Sequence, residues 1–250
     1  MKKIRADQLT VERGLAETRS QARALIMAGQ VLTMSGGIVR SRVEKAGQML
    51  AIETELVLKD KGVRFASRGG LKLDGALEDL KMDVRGLRVL DVGASTGGFT
   101  DCLLKRGADH VTAIDVGYGQ LHWRLREDPR VRIMERTNAR FLEPDRFEEL
   151  FDLAVIDVSF ISLSLILPSI KTLIKTGGNI LALVKPQFEA GREKVGKGGV
   201  VRDTKIQLEA VESVAAVSRG LGFEVRDRLP ARIKGPKGNQ EYFLLLTLPL

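Results

Sequence analysis

RVLDVGASTGGFT, residues 88–100, is the stretch that decides the fold. Val89, Leu90 and Val92 surround Asp91 and read as a short buried strand. Gly93, Gly97 and Gly98 come next, and then an apolar run over 99–104 that suits a helix. Such a turn lets the backbone approach a ligand closely, and the helix start offers unpaired N–H groups. A second strand over 110–114 ends in Asp115. An acid there, about 20 residues beyond the glycines, is where nucleotide-binding α/β folds hold a ribose diol. A plain strand-to-helix turn is the alternative reading of the glycines, and Asp115 favours the ligand. The pattern G-A-S-T-G-G is neither G-x-G-x-x-G nor a P-loop with G-K-[ST], which disfavours NAD and nucleoside triphosphates. No basic residue stands in the loop to meet a phosphate. S-adenosylmethionine carries a ribose and no phosphate, and it suits this loop best.

Working outward, the 250 residues suffice for one large domain or two modest ones. The formal net charge of +8 points to a polyanionic partner, nucleic acid first and an anionic membrane surface second. Nine basic residues against four acidic ones put most of that charge in residues 1–50. The single cysteine, Cys102, falls in the helix after the glycine turn, where packing is its expected role. His110 and His122 have no spacing that suggests a metal site, so none is expected. The opening MKKIRADQLT runs into charge rather than an apolar core, so no secretory signal is expected. With the lone thiol this points to the cytoplasm. The longest apolar stretches, near 160–170 and 243–250, are too short to span a bilayer.

In the basic segment Asp7 is expected to cap a first helix, and Thr18 or Ser20 a second one that Gly29 ends. Short strands follow near 31–32, 38–39 and 49–52, with Ser35, Gly36 and Gly37 as a turn. Residues 53–66 read as a charged connector with Phe65 at a junction, and 67–80 as a helix with Leu71, Ala76, Leu77 and Leu80 on its apolar face. Beyond Asp115, a helix is expected over 118–126 and a third strand over 130–134, followed by Asn138, where an amide can read an adenine amino group. A fourth strand ends in Asp157, a helix runs to about 173, and a fifth strand over 179–184 ends in Lys185. The segment 191–198, G-R-E-K-V-G-K-G, mimics a P-loop but has Gly198 where Ser or Thr is needed, and is read as a mobile basic loop over the site. A helix over 204–219, a strand over 223–228 and a basic loop with Arg232, Lys234 and Lys237 lead to a last, near-continuously apolar strand over 241–248, expected to insert between others. Alternating strands and helices after residue 86 predict an α/β fold: a Rossmann-like, seven-stranded, mostly parallel sheet. Ligands bind such sheets at the carboxyl ends of the strands, where Gly93, Asp115, Asn138, Asp157 and Lys185 all fall.

Two sets of motifs carry resemblances. T-R-S-Q-A-R-A-L-I-M-A-G-Q-V-L, residues 18–32, resembles the S4-type RNA-binding domain, although Ser35-Gly36 and Arg40-Ser41 stand where that family usually has Asn-Gly and Lys-Pro. S-R-G-G-L-K-L, L-D-V-G-A-S-T-G-G-F-T-D, D-V-G-Y-G-Q-L, E-R-T-N-A-R, I-D-V-S-F-I-S-L and L-V-K-P-Q-F-E, with G-N-Q-E-Y-F near the end, resemble the TlyA (hemolysin A) family of ribosomal RNA 2′-O-methyltransferases, related to the FtsJ group. The resemblance covers essentially the whole chain. It implies an S4-type domain over 1–60 and an FtsJ-like, S-adenosylmethionine-dependent methyltransferase domain over 61–250.

It also implies a catalytic tetrad, Lys72, Asp157, Lys185 and Glu241. Cofactor contacts would fall on Gly93, Ala94, Ser95, Gly97, Gly98, Phe99, Asp115, Val116, Asn138 and Asp157. The implied partner is ribosomal RNA within ribosomal subunits, with cytidine as the target. Arg5, Arg19 and Arg23 are the first candidates for RNA contact, and Arg68, Arg136, Arg140 and Arg192 are candidates around the active site. A ribose 2′-hydroxyl is a poor nucleophile and must lose its proton as it attacks the methyl group. Lys185 can act as the base or steer the oxygen, with Asp157 and Glu241 orienting the lysines and the hydroxyl. Two other readings are a non-catalytic RNA-binding assembly protein, which the complete tetrad disfavours, and a membrane-lytic protein, which lacks an apolar run of the required length.

Overall fold

A computed structural model of the chain describes residues 2–35, 38–59 and 64–250. The chain divides into two units, residues 1–63 and 64–250. The Gly36-Gly37 turn and connector residues 60–63 lie outside the described residues.

In the first unit Thr18 caps a helix as its side chain predicts, accepting a hydrogen bond from the Gln21 amide. The unit runs β1 (Lys3–Arg5), α1 (Ala6–Glu12), α2 (Arg19–Met27), β2 (Val31–Ser35), β3 (Ile38–Arg42), β4 (Met49–Ala51) and β5 (Glu55–Leu58). Strands pair antiparallel in the orders β3-β2-β5 and β1-β4. Leu9, Ala22, Leu25, Ile26 and Val31 form the buried side of the two helices and β2. Gly29, at φ +69°, lets the chain leave α2 in the left-handed conformation. Asp7 does not cap α1. Arg5 occupies the cap position, and the buried Asp7 carboxylate accepts from the Arg5 and Arg19 guanidiniums instead.

The second unit contains α3 (Arg68–Asp79), β6 (Arg88–Val92), α4 (Gly98–Lys105), β7 (His110–Ile114), α5 (Trp123–Arg126), β8 (Val131–Met134), β9 (Phe151–Ile156), α6 (Leu167–Lys171), β10 (Ile174–Val184), α7 (Pro186–Glu189), α8 (Thr204–Gly220), β11 (Glu224–Pro230) and β12 (Tyr242–Thr247). Its seven-stranded sheet has the order β11-β12-β10-β9-β6-β7-β8. Strands β6 to β10 pair in parallel, and β12 inserts antiparallel between β10 and β11. This is the Rossmann-like sheet expected, with the apolar last strand inserted. Two cores form because side chains alternate along each strand. Leu90, Val92, Ile180, Ala182 and Val184 join one cluster, while Val89, Leu181 and Leu183 join the other with Leu73, Leu103 and Phe243.

Several expectations need correction. The helix expected over 118–126 exists only as the single turn of α5. Gly119 takes φ +71° and gives its amide to the Glu135 carboxylate, which holds the preceding residues as a loop. The helix expected to reach 173 breaks into a short turn at 163–165 and α6, after Phe160 at φ +63°. β10 begins at Ile174, earlier than expected, because the Gly177-Gly178 segment is an irregularity within the strand. Phe65, expected at a junction, is buried in the core of the second unit beside α3 and α4.

Candidate active site

Gly93 ends β6 at φ +86°, and a Cβ there would stand 2.6 Å from the Asp157 carbonyl oxygen. Only glycine fits both the angle and the approach, so the turn after β6 lies against the end of β9. Gly97 and Gly98 open α4. Gly70 faces Gly98 across the α3–α4 contact, where a Cβ on Gly70 would stand 2.6 Å from the Gly98 carbonyl oxygen. That close packing carries Lys72, on α3, to the same cavity as the glycine turn.

The cavity measures about 550 Å³. Lys72, Asp157, Lys185 and Glu241 all line it, with Gly93, Ala94, Ser95, Gly98 and Phe99. Four residues from α3, the end of β9, the end of β10 and the start of β12 therefore meet at one place. β12 runs antiparallel to its neighbour β10, so its beginning lies at the rim where the parallel strands end. They meet as two pairs. Lys72 Nζ donates to Glu241 Oε2 at 2.6 Å, with both side chains buried. Lys185 Nζ lies 2.6 Å from Asp157 Oδ1, at ion-pair distance but without hydrogen-bond geometry. Its hydrogen bond goes to Ser159 Oγ at 2.9 Å. Ser159 escaped the sequence reading. The signal for it is its place two residues beyond Asp157 in D-V-S-F, on the same side of an extended chain.

Asp115 follows β7 at the adjacent rim. Its Oδ2 accepts from the Ser95 amide at 2.8 Å and its Oδ1 from the Gly117 amide at 2.7 Å. The carboxylate is thereby fixed against the glycine turn, and each oxygen keeps lone-pair capacity for a ribose hydroxyl. Gly97, Asp115, Val116 and Asn138 do not line the cavity, and Gly97 faces the Leu121 and Leu125 side chains instead. Val116 is exposed, and the Asn138 side chain caps a short turn by accepting from the Arg140 amide. No basic side chain stands among residues 93–99. A fixed acid for a diol, a glycine turn and a cavity running on to two lysine–carboxylate pairs fit a ribose-bearing sulfonium cofactor.

Beneath the turn, Asp91 is fully buried. Thr100 Oγ1 donates to its Oδ2 at 2.6 Å, while Oδ1 has no hydrogen-bond partner among the described residues. Burial, with smaller contributions from the Asp157 and Asp115 charges, pushes its carboxyl up to about 7. Glu189 is raised by burial as well, and accepts from Ser162 Oγ and the Leu163 amide, which ties the loop after β9 to α7. Cys102 is buried, and its thiol is pushed up to about 12 by desolvation, consistent with packing.

Arg68 lines the cavity. Arg136 stacks over Tyr118 at 4.3 Å, and Arg140 lies over Phe141 at 5.5 Å, both on the exposed rim. The Arg192 side chain lies outside the described residues. The loop read as a cover contributes Val195 to the wall, Gly199 just beyond it adds to the same side, and the basic loop before β12 contributes Lys234 and Lys237. Asn239, buried, joins these loops by donating to the Gly199 carbonyl and accepting from the Val201 amide. Arg232 instead pairs with Glu78 and Asp79 at the end of α3.

Residues 65–248 match the model of the FtsJ-like methyltransferase family. The chain belongs to that family. Among FtsJ-like relatives it is 46% identical over 245 residues to the 16S/23S rRNA (cytidine-2′-O)-methyltransferase TlyA of Mycobacterium tuberculosis, covering 98% of this chain and 90% of that one. A solved structure from Streptococcus thermophilus, of a protein named as a hemolysin, is 46% identical and covers 100% of this chain and 90% of its own, with a TM-score of 0.74. The N-methyltransferase NodS of Bradyrhizobium japonicum, solved with S-adenosyl-L-homocysteine, shares the fold at 15% identity and a TM-score of 0.52, over 72% of this chain and 87% of that one. The FtsJ-like assignment and the methyltransferase fold agree with S-adenosylmethionine as the cofactor. No described helix is long and apolar enough to cross a membrane.

Proposed function

We propose that this FtsJ-like chain is an S-adenosylmethionine-dependent ribosomal RNA (cytidine-2′-O)-methyltransferase, acting on ribosomal subunits in the cytoplasm. The convergence of Lys72, Asp157, Lys185 and Glu241 on one cavity beside the glycine turn carries the reading. S-adenosylmethionine supplies an electrophilic methyl group on a sulfonium. Gly93, Ala94, Ser95, Gly97, Gly98 and Phe99 would hold its methionine portion, Asp115 its ribose diol, and Val116 and Asn138 its adenine.

The remaining work belongs to the chain. Lys185, fixed by Asp157 and Ser159, orients the 2′-oxygen, and in its neutral amine form it takes the hydroxyl proton as that oxygen forms its bond to the methyl carbon and the carbon–sulfur bond breaks. Glu241 holds Lys72 in place at the other side of the cavity. Because the four side chains are already paired, little rearrangement is needed when a ribose enters, and positioning supplies much of the rate. Arg5, Arg19 and Arg23 on the S4-like unit, residues 1–60, supply RNA affinity, with Arg68, Arg136, Arg140 and Arg192 around the active site.

The test is methyl transfer from labelled S-adenosylmethionine to purified small and large ribosomal subunits, followed by mapping of the modified nucleotide. Label on a cytidine ribose is the expected result. No incorporation into either subunit, or incorporation into a base, would refute the reading.

A further inference from the structure

Three guanidiniums gather on one buried carboxylate in the N-terminal unit. Arg5 donates twice to Asp7, through Nε to Oδ1 and Nη2 to Oδ2, each at 3.0 Å. Arg19 Nη2 donates to Oδ2 at 3.2 Å, and Arg23 Nε stands 3.9 Å from the same oxygen. Asp7 itself is 0% exposed, whereas the three arginine side chains are 41%, 57% and 63% exposed. Its Oδ1 also accepts from the Gln8 amide at 3.0 Å. Hydrogen bonding from Arg5, helped by Arg19, holds the carboxyl at about 2.

The chemistry of this cluster differs from that of a scattered basic face. Arg19 and Arg23 stand one helical turn apart on α2, and Arg5 arrives from β1. Without a counter-charge the three would repel one another and spread over many rotamers. Asp7 uses two donors of Arg5 and one of Arg19 and only pairs by charge with Arg23, and every guanidinium has five donors. Among the described residues nothing else binds the remainder. The result is a net charge of two on forked donors whose positions are set before a ligand arrives. Forked N–H pairs match the paired oxygens of a phosphate.

We propose that Asp7 is a positioning residue that organises Arg5, Arg19 and Arg23 into a seat for a backbone phosphate of ribosomal RNA. The proposal rests on the ribosomal RNA reading above. Its distinguishing consequence is one of sign. Asp7→Asn removes a negative charge from a basic face, and by charge alone would tighten RNA binding and steepen its salt dependence. Loss of the organised seat does the opposite.

The experiment measures binding of the full chain to deproteinised ribosomal RNA over a series of salt concentrations, with S-adenosylmethionine affinity as the control. Asp7→Asn is expected to weaken RNA binding about tenfold, to flatten the salt slope and to leave cofactor affinity unchanged. Equal or tighter RNA binding by Asp7→Asn overturns the proposal. Should that variant lack the wild-type melting transition, Arg19→Lys decides, because it keeps the charge and loses the fork. A severalfold loss of affinity supports the seat, and wild-type affinity overturns it. Failure of the wild-type chain itself to bind deproteinised ribosomal RNA overturns the proposal, whereas the underlying reading falls only if methyl transfer to ribosomal subunits fails.

Discussion

Lys185 leaves β10 in an extended conformation, fixed by the proline that follows, and its side chain is aimed at Asp157 and Ser159. A general base contributes roughly 10²–10⁴ in rate. Lys185→Ala is expected to lose single-turnover methylation on about that scale while still binding cofactor and RNA. Wild-type turnover would remove it from the mechanism. Asp115 is tested more simply. Losing a charge-assisted hydrogen bond costs about 1.5–3 kcal/mol, so Asp115→Ala should weaken S-adenosylmethionine binding about tenfold or more by calorimetry. Asp91 tests burial itself. Its folded carboxyl sits at about 7 against an ordinary 3.8, so the folded chain keeps a proton that the unfolded chain releases between those values. Stability contributed at this site therefore falls as pH rises from 3.8 through about 7. Asp91→Asn, which keeps the Thr100 partner, is expected to gain melting temperature over the wild type at pH 8 and to lose that advantage at pH 4. An equal difference at both values would mean that Asp91 does not carry the proton.

At the scale of elements, the turn between β6 and α4 is the tightest joint of the site. Gly93→Ala sets a side chain at φ +86° against a carbonyl oxygen that cannot move aside without shifting β9. The expected cost is about 1–3 kcal/mol of stability together with weaker cofactor binding, read by melting and calorimetry. An unchanged melting temperature would show that β9 yields. This joint was legible in the sequence because its causes are local: three glycines, an apolar strand and a helix start. β12 was legible for a similar reason, since a strand buried on both faces reads as a continuous apolar run. The loop before α5 was not. Residues 118–126 read as one helix in sequence, and distant partners, Glu135 on the Gly119 amide and the Thr96 carbonyl on the His122 amide, hold the part before α5 out of it. Asp7 failed in the same way, because the arginines that claim its carboxylate come from another strand and another helix. The tetrad residue types were legible through resemblance, but their arrangement as Lys72–Glu241 and Lys185–Asp157 depends on the antiparallel insertion of β12, which spacing alone does not express.

For the whole molecule, residues 1–50, with nine basic and four acidic side chains, hold none of the proposed tetrad, and all four of those residues belong to the second unit. Arg19→Glu should therefore weaken binding to ribosomal subunits, most visibly at low salt, and leave cofactor affinity at the wild-type value. A parallel loss of cofactor affinity would contradict that division. The Lys72–Glu241 pair spans 169 residues, and that distance is also an interval of time. At about 5–20 residues per second, a ribosome that has added Lys72 needs roughly 8–34 s more to add Glu241. The proposed cofactor groups, from Gly93 to Asn138, are all polymerised well within that interval. On the proposed roles, a nascent chain acquires the residues for holding a methyl donor before it acquires the last one for spending it, and is expected to stay chemically silent until β12 begins.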